Sequence, residues 1–379
     1  MNFKQNKVVV FIDWFLPGYK AGGPIRSVAN IIEHLGSEFE FYIITSDRDL
    51  GDSLPYENIL TDQWQTKKDY KVIYLSAKNR NKAFYRSLLA DVSPKYIYLN
   101  SIFSFYFSIL PVLIFNTSSA RILLSPRGML GENSLKIKSV KKKIFLFIAD
   151  LFKVYQKVSW IASNETERQQ IVGNFGGDSA IRIAPNLPTR ISDNSNKHSP
   201  KQHGELSLLF IGRISPIKNI DFLISLLAKA NRAVNLTIVG PIEDVAYWNT
   251  CLELIENINS SIVVDYLGEK SPNQIHLLFN SHHCLVSASS NENYGHSIVE
   301  SLSCGCPVIV SEHTPWNDLA PYFAGFSIEL SAEFYIDKIQ FFADMDNDTY
   351  LKYKEGAFNY FKKKIDLDIF RDNYREIFS

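Results

Sequence analysis

The chain has few cysteines and none before position 251, no net charge, and no long apolar run. The four cysteines, at 251, 284, 304 and 306, are unevenly spaced, which argues against a disulfide framework or a zinc site and fits a reducing compartment. Basic and acidic residues balance at 40 each, so the overall charge does not predict a nucleic-acid partner. We therefore expect a globular protein that is neither disulfide-rich nor a general nucleic-acid binder.

Two kinds of membrane-related segment are also missing from the sequence. No stretch approaches the roughly 18 apolar residues that a membrane-spanning helix requires. The opening apolar run, Lys7–Asp13, is too short for a secretion signal. We expect a cytoplasmic protein, soluble or peripherally attached to the inner face of a membrane.

Cys304 and Cys306 flank a single glycine, and two interpretations of this pair stay open. They are either small buried residues beside a helix end, or a redox pair or half of a metal site. We expect the first.

The pattern over residues 8–45 predicts a βαβ unit. Val8–Ile12 is a short, β-branched strand, Ile25–Leu35 has helical apolar spacing, and Phe39–Thr45 is again a strand. The turn before the helix contains Gly22 and Gly23, whose backbone can approach a ligand closely because neither residue has a Cβ atom. The pattern is not G-x-G-x-x-G, so it does not favour a dehydrogenase. A simple turn is the alternative.

A polar stretch over 193–204 predicts a linker, after which the same pattern starts again. Leu206–Ile211 and Asn235–Val239 read as strands around a helix over Ile220–Ala230. The sequence thus predicts an α/β protein of two Rossmann-like, doubly wound domains that face a cleft. The expected boundaries are 1–190 and 205–355, with a helical segment over 356–379 that packs back toward the first domain.

The most informative stretch runs from Ser287 to Val310. A strand ends near Ser287, a loop follows, and a helix is predicted from His296 to Ser303. The amino end of a helix favours an anion. Glu292 precedes this helix and Glu300 lies about one turn into it, so both carboxylates can face one ligand.

This stretch resembles the E-x7-E signature of retaining glycosyltransferases of family 4, which have the GT-B architecture. Glu292 and Glu300 match the two acids, and Ser303 to Val310 matches the small-residue turn that follows. The resemblance implies that Glu292 contacts the donor sugar and Glu300 the nucleotide ribose. Tyr294, Gly295 and His296, between the two acids, are then expected to bind the donor as well.

Upstream, Gly212-Arg213 and Lys218-Asn219 resemble the G-R-x-x-x-x-K-G element of the same family. There, the Arg and the Lys hold the donor diphosphate, which needs cations where charge develops as the glycosidic bond breaks. This chain has Asn219 where glycine is usual. Leu267–Lys270 follows another predicted strand, where relatives contact the base. Gly22 and Gly23 stand where such enzymes close a glycine-rich loop over the donor phosphates.

The segment Ser125–Leu130 resembles the corresponding segment in a subgroup of these transferases that is found in surface-polysaccharide assembly. Many relatives carry a histidine near this point, but this chain has Arg127. Two interpretations of Arg127 stay open: contact with an anionic acceptor, or a structural salt bridge.

The segment Lys136–Lys157 interleaves lysines with Phe, Ile and Leu at helical spacing. Such a helix suits an anionic membrane surface, which attracts each nearby lysine by roughly 1 kcal/mol. The alternative is a core helix with a solvated lysine face.

Together these features predict a hexosyltransferase. It would move a sugar from a nucleoside diphosphate donor, with UDP favoured, to a hydroxyl of a glycan or lipid-linked saccharide, and the resemblance implies retention of anomeric configuration. The predicted catalytic residues are Glu292, Arg213 and Lys218. No cofactor and no metal are expected, because Arg and Lys take the metal's place in the family. The alternatives are a sugar-nucleotide epimerase or phosphorylase of the same fold, and a catalytically silent GT-B module.

Overall fold

The computed structural model describes residues 6–131, 134–135, 139–176, 180–189, 200–258 and 262–379. They form two compact units, Met1–Arg190 with Leu367–Ser379, and Ile191–Asp366. The chain therefore returns to the first unit at its end. The expected boundary at 355/356 falls inside a helix that continues to Lys364 in the second unit.

The first unit is an eight-stranded sheet with helices along the chain between its strands. The strands run in the order β3-β4-β2-β1-β5-β6-β7-β8, and every neighbouring pair is parallel except β3 with β4. The strands are β1 Lys7–Phe11, β2 Glu40–Ser46, β3 Trp64–Thr66, β4 Tyr70–Leu75, β5 Tyr96–Leu99, β6 Arg121–Leu124, β7 Ser159–Ala162 and β8 Ile181–Ile183. The α-helices whose bounds the described residues before 190 give are α1 Gly23–Leu35, α2 Lys82–Val92, α3 Leu110–Phe115, α4 Ser139–Leu151 and α5 Glu165–Phe175.

The second unit is a six-stranded parallel sheet in the order β11-β10-β9-β12-β13-β14. Numbered from its own first strand this is 3-2-1-4-5-6, the order of dinucleotide-binding sheets. The strands are β9 Glu205–Ile211, β10 Ala233–Val239, β11 Ile262–Tyr266, β12 Cys284–Ser287, β13 Val308–Ser311 and β14 Gly325–Ile328. The helices are α6 Ile220–Leu227, α7 Val245–Glu256, α8 Pro272–Ser281, α9 His296–Ser303, α10 Ala332–Ala343 and α11 Asn347–Lys364.

The last helix, α12 over Leu367–Ile377, belongs to the first unit. Just beyond it, the ring of Phe378 packs edge-on against Phe39, Phe41, Tyr96 and Tyr98. Arg375 forms a bidentate ion pair with Glu38 at 2.7 Å. Alternate residues of β1 point to opposite faces of the sheet, so Val9 and Phe11 join one apolar core and Val8 and Val10 the other, which α12 helps to cover.

The sequence missed the short edge strand β3, together with β7, β8 and β14. The three-residue strands β3 and β8 contain no buried residue and lack a clear apolar run. Among the described residues, no helix combines the length and apolarity that crossing a membrane requires.

Candidate functional site

The second sheet has a topological switch point between β9 and β12, and ligands of open α/β sheets bind outside the carboxyl ends of strands at such points. The loop after β9 carries Arg213 and Lys218, and the loop after β12 carries Glu292. The strand order therefore brings the predicted cations and the first predicted acid to the same edge.

The two loops are joined by backbone and side-chain hydrogen bonds. The amide of Ser290 donates to the carbonyl of Ile217 at 2.9 Å, and Nδ2 of Asn219 donates to the carbonyl of Ala288 at 2.8 Å. Asn219 has φ of 51°, in the left-handed region that glycine adopts most easily and asparagine tolerates better than most residues. This conformation explains why asparagine can replace the usual glycine, and its side chain adds a bond that glycine cannot make.

Lys218 and Glu292 form an ion pair at the centre of this edge. Nζ of Lys218 lies 2.5 Å from Oε2 of Glu292, and the two side chains are only 17% and 22% exposed. Both remain open enough for a ligand to reach. The pair thus presents a cation and a carboxylate side by side, as a phosphate next to a sugar hydroxyl would require.

Gly295 sets the entry into α9. It has φ of 75° at the N-cap, and a Cβ atom there would lie 2.8 Å from Cδ1 of Ile298 and 3.3 Å from Cγ of Glu292. A side chain here would strain the backbone, clash with Ile298 and crowd Glu292, so glycine suits this turn best. The turn places Glu292 immediately before the positive end of α9, and half-buried Glu300 lies one turn further along the helix.

Arg213 lies at the same edge but pairs with a residue that the sequence did not single out. Its Nη1 atom contacts Oε1 of Glu243, in the loop after β10, at 2.5 Å, with both side chains about two-fifths exposed. An exposed pair of this kind contributes about 0–1 kcal/mol, so a diphosphate can displace Glu243 at little cost. A lone acid in a loop gives no sequence signal for this contact.

Gly240 brings the next strand end against the same loop. A Cβ atom there would lie 1.9 Å from the carbonyl oxygen of Gly212, and φ is 143°. The amide of Gly240 donates to the carbonyl of Gly268 at 3.0 Å. This contact places the predicted base-contacting segment, Leu267–Lys270, beside the strand end that follows Arg213.

Trp316 supports the loop that carries Tyr294. Its indole Nε1 donates to the carbonyl oxygen of Tyr294 at 2.6 Å, and the two rings are 5.9 Å apart. The Tyr294 ring also meets that of His296 edge-on at 4.9 Å. The rings of Tyr294 and His296 thus lie together at the start of α9, and their contact with the donor stays a prediction. Trp316 comes after the recognised motif and was missed because an isolated tryptophan carries no positional signal.

In the first unit, Gly22 and Gly23 form the turn between β1 and α1. Gly22 has φ of 67° and open space where a Cβ atom would stand, and Gly23 begins α1. The preceding residues are fixed by buried Asp49, whose Oδ2 accepts the amides of Tyr19 at 2.7 Å and Lys20 at 3.1 Å. At Gly22 the turn therefore presents backbone that no side chain shields. The loop before it is fixed by the hydrogen bonds to Asp49.

Arg127 is held in a network of neutral oxygens. Its Nη2 atom donates to the hydroxyl of Tyr98 at 2.5 Å and to Oδ1 of Asn100 at 3.3 Å, and its Nη1 atom donates to Asn186. The nearby Glu167 instead accepts from the amides of Gly128 and Ser163. Arg127 is thus held by hydrogen bonds to neutral oxygens rather than by a salt bridge, and its contact with an anionic acceptor stays a prediction.

Asp13 lies just after β1, at the carboxyl end of that strand in the first sheet. Oγ of Ser104 donates to its Oδ1 at 2.6 Å, and burial raises the pKa of Asp13. The sequence did not single it out.

The cysteines are all buried thiols. Burial raises the pKa of Cys304 to about 12 and that of Cys306 to about 11, so both are protonated near neutral pH and poor nucleophiles. Within the described part of the chain, no group of three or more His, Cys, Asp or Glu side chains is arranged to hold a metal ion.

Part of the chain matches a family of known proteins. Residues 192–357 match the model of the family Glycosyl transferases group 1. The matched range lies in the second unit, and it contains both predicted acids and both predicted cations.

Two curated proteins are similar to parts of the chain. One is the alpha-monoglucosyldiacylglycerol synthase of Streptococcus pneumoniae, 32% identical over 121 residues, which are 31% of this chain and 27% of that protein. The other is the D-inositol 3-phosphate glycosyltransferase of Gordonia bronchialis, 26% identical over 170 residues, 40% of this chain and 37% of that protein. The matches thus span less than two-fifths of either relative.

Solved structures match nearly the whole chain. The sucrose-phosphate synthase of Thermosynechococcus elongatus superposes with a TM-score of 0.77 at 15% identity, over 98% of this chain and 99% of that one. Anabaena HepE in complex with UDP-glucose superposes with a TM-score of 0.72 at 14% identity, over 98% of each chain. These likenesses confirm the predicted α/β fold of GT-B type.

Proposed function

We propose that the chain is a retaining hexosyltransferase that moves a sugar from a nucleoside diphosphate donor to a hydroxyl group. The observation that carries the proposal is the Lys218–Glu292 pair beside the amino end of α9, at the switch point of the second sheet. It joins a cation for phosphate to a carboxylate for sugar hydroxyls. The retaining course and the hexosyl group rest on the resemblance of the E-x7-E segment to family 4.

Cleavage of the donor's glycosidic bond leaves a nucleoside diphosphate whose charge grows in the transition state. Lys218 and Arg213 stabilise that charge, and such positioned cations act on the rate more than on ground-state binding. In this proposal the donor phosphate replaces Glu292 as the ion-pair partner of Lys218. The Glu292 carboxylate can then accept hydrogen bonds from the sugar. Glu300 accepts from the ribose hydroxyls.

UDP is the favoured nucleotide. Structures of Anabaena HepE that share the fold contain UDP or UDP-glucose, and the range that matches the group 1 family contains both predicted acids. GDP is the alternative. With the charge carried by Arg213 and Lys218, turnover should persist after chelation of divalent cations.

The acceptor in this proposal is a glycan or a lipid-linked saccharide at an anionic membrane surface on the cytoplasmic side. One of the curated relatives is named for a glucosylated diacylglycerol, which supports an acceptor held in lipid. Lys141, Lys143 and Lys153, on or beside α4, are exposed and would face that surface. The other end of the predicted segment, 136–138, lies outside the described residues.

The test is calorimetric titration with UDP and GDP of the wild type, Glu300→Gln and a control, Glu333→Gln. Glu333 is an exposed acid in the first turn of α10, in the same unit. We expect one nucleotide to bind wild type and control equally, and Glu300→Gln to weaken binding about tenfold, because charge-assisted hydrogen bonds are worth about 1.5–3 kcal/mol. Equal binding by all three proteins would remove Glu300 from the site. If neither nucleotide binds, a silent module is the better account.

A further inference from the structure

Helix α4 exposes its apolar side to solvent. The exposed fractions are 68% for Val140, 53% for Ile144, 70% for Phe147, 45% for Ile148 and 63% for Leu151. Soluble proteins rarely leave a contiguous apolar face of this kind open unless something binds to it. The expected alternative, a core helix with only its lysines in water, is therefore wrong for this side of the helix.

The spacing shows that these side chains form one stripe. Relative to Val140 they stand at i, i+4, i+7, i+8 and i+11, which confines them to about 100° of the helix circumference. The opposite side holds Leu146 and Ala149, which are buried in the core of the first unit. Helix α4 is thus anchored by one apolar face and presents a second.

Lysines flank the exposed stripe on both edges. At about 100° per residue, Lys141 falls just beyond Ile148 on one edge and Lys143 just beyond Phe147 on the other, and both are exposed. Lys142, by contrast, points inward: its Nζ donates to the carbonyl of Ser134 at 2.6 Å and lies 5.2 Å from the ring centroid of Phe103. Of the described lysines on α4, Lys141 and Lys143 beside the stripe are thus the ones that point to solvent.

We infer that the apolar stripe of α4 inserts into the interface of an anionic bilayer, with Lys141 and Lys143 reaching up to the head groups. Lysines extend their alkyl stems along apolar surface and keep their charge at the interface, so this pattern fits a lipid layer. The inference rests on the proposed function, in which lysines attract the protein to a membrane surface. It adds that apolar side chains of α4 are buried in that membrane. Binding can be tested without turnover, so its failure and the failure of the proposed activity are distinguishable.

The experiment is flotation of the full chain with vesicles of phosphatidylcholine and phosphatidylglycerol, at low and high salt. Salt screens charges but not apolar burial, so the wild type should float under both conditions. Ile144→Ser/Phe147→Ser should lower the bound fraction more than about tenfold at both salt levels. Lys141→Gln/Lys143→Gln should weaken binding mainly at low salt. Leu277→Ser, at an equally exposed position on α8, is the control and should bind as the wild type does.

A second measurement keeps the inference testable if a variant is poorly folded. The four native cysteines are buried, so Phe147→Cys can be labelled selectively with an environment-sensitive dye. Emission should shift to the blue when vesicles are added, and a dye at Leu277→Cys should not respond. Flotation that disappears at high salt, or no shift at position 147, would show surface adsorption and overturn insertion. A dimer in sedimentation that Ile144→Ser/Phe147→Ser dissociates would assign the stripe to a second copy instead.

Discussion

At the scale of single residues, the site rests on side chains whose neighbours fix them before any ligand arrives. Lys218 is positioned by the Asn219 turn and by Glu292, and Gly295 leaves the space that Glu292 occupies. Preorganised charge of this kind acts on the transition state because it needs no reorganisation during the reaction.

Lys218→Ala should therefore lower kcat about 100-fold, while Lys229→Ala, an exposed lysine just after α6, should not change it. The midpoint of thermal unfolding should move little in either variant, because a partly exposed ion pair contributes about 1 kcal/mol or less. The measurement is steady-state release of nucleoside diphosphate. Wild-type turnover by Lys218→Ala would refute the role of this lysine.

Trp316 is a positioning residue in this view, because it holds the carbonyl of Tyr294. Trp316→Phe keeps an aromatic ring but removes the N–H donor, and should raise the donor KM about fivefold with kcat nearly unchanged, since one hydrogen bond is worth about 1 kcal/mol. Trp64→Phe, in the first unit, is the control. A loss of thermal stability at constant KM would mean that Trp316 is only structural.

At the scale of elements, the sequence predicted the strands that carry the site because they are buried, β-branched and followed by turn residues. It predicted α9 with the observed bounds, and β9 to within one residue. It could not show that Arg213 pairs with Glu243 or that Arg127 is held by Tyr98, because those contacts join distant segments. The sequence also could not predict which face of the lysine-rich helix α4 is buried. Its periodicity indicates two apolar faces but does not show which one the core covers.

The β9–β12 pairing contains a pH-sensitive contact. The amide of Ser207 donates to Nδ1 of His283 at 3.0 Å, and burial together with nearby Lys201 lowers the pKa of His283 to about 4. The unfolded chain has its usual pKa near 6.5, so the folded state binds fewer protons between these values. The stabilisation is complete above pH 6.5 and is lost as the pH falls toward 4.

We expect the unfolding free energy to drop by about 2 kcal/mol more between pH 7 and pH 4.5 in the wild type than in His283→Gln, which cannot titrate. Urea denaturation at the two pH values measures the difference. His313→Gln, at an exposed position, controls for a general effect of losing a histidine. Identical pH dependence in wild type and His283→Gln would show that this contact does not control acid stability.

At the scale of the molecule, the chain builds two units and returns to the first with α12. The resemblance to family 4 predicted the GT-B fold, and the restart of the βαβ pattern after the linker predicted two sheets. The end of α11 is harder to foresee, because Asn347–Lys364 and Leu367–Ile377 differ in sequence pattern only at a two-residue break. Where α12 packs depends on Phe378 meeting rings from two separate strands, β2 and β5, and from Phe39 just before β2.

The two units should respond to different changes. Phe378→Ala removes a fully buried ring from the first unit and should destabilise that unit by about 3–5 kcal/mol. UDP should instead stabilise the second unit, by RT ln(1 + [L]/Kd), which is about 2.7 kcal/mol at a hundredfold excess over Kd. Calorimetric scans of wild type and variant, with and without UDP, should therefore show one transition lowered by the substitution and another raised by the nucleotide. Phe334→Ala, at an exposed ring on α10, should leave the first of these transitions in place. A single transition that shifts with both changes would mean that the two units unfold together.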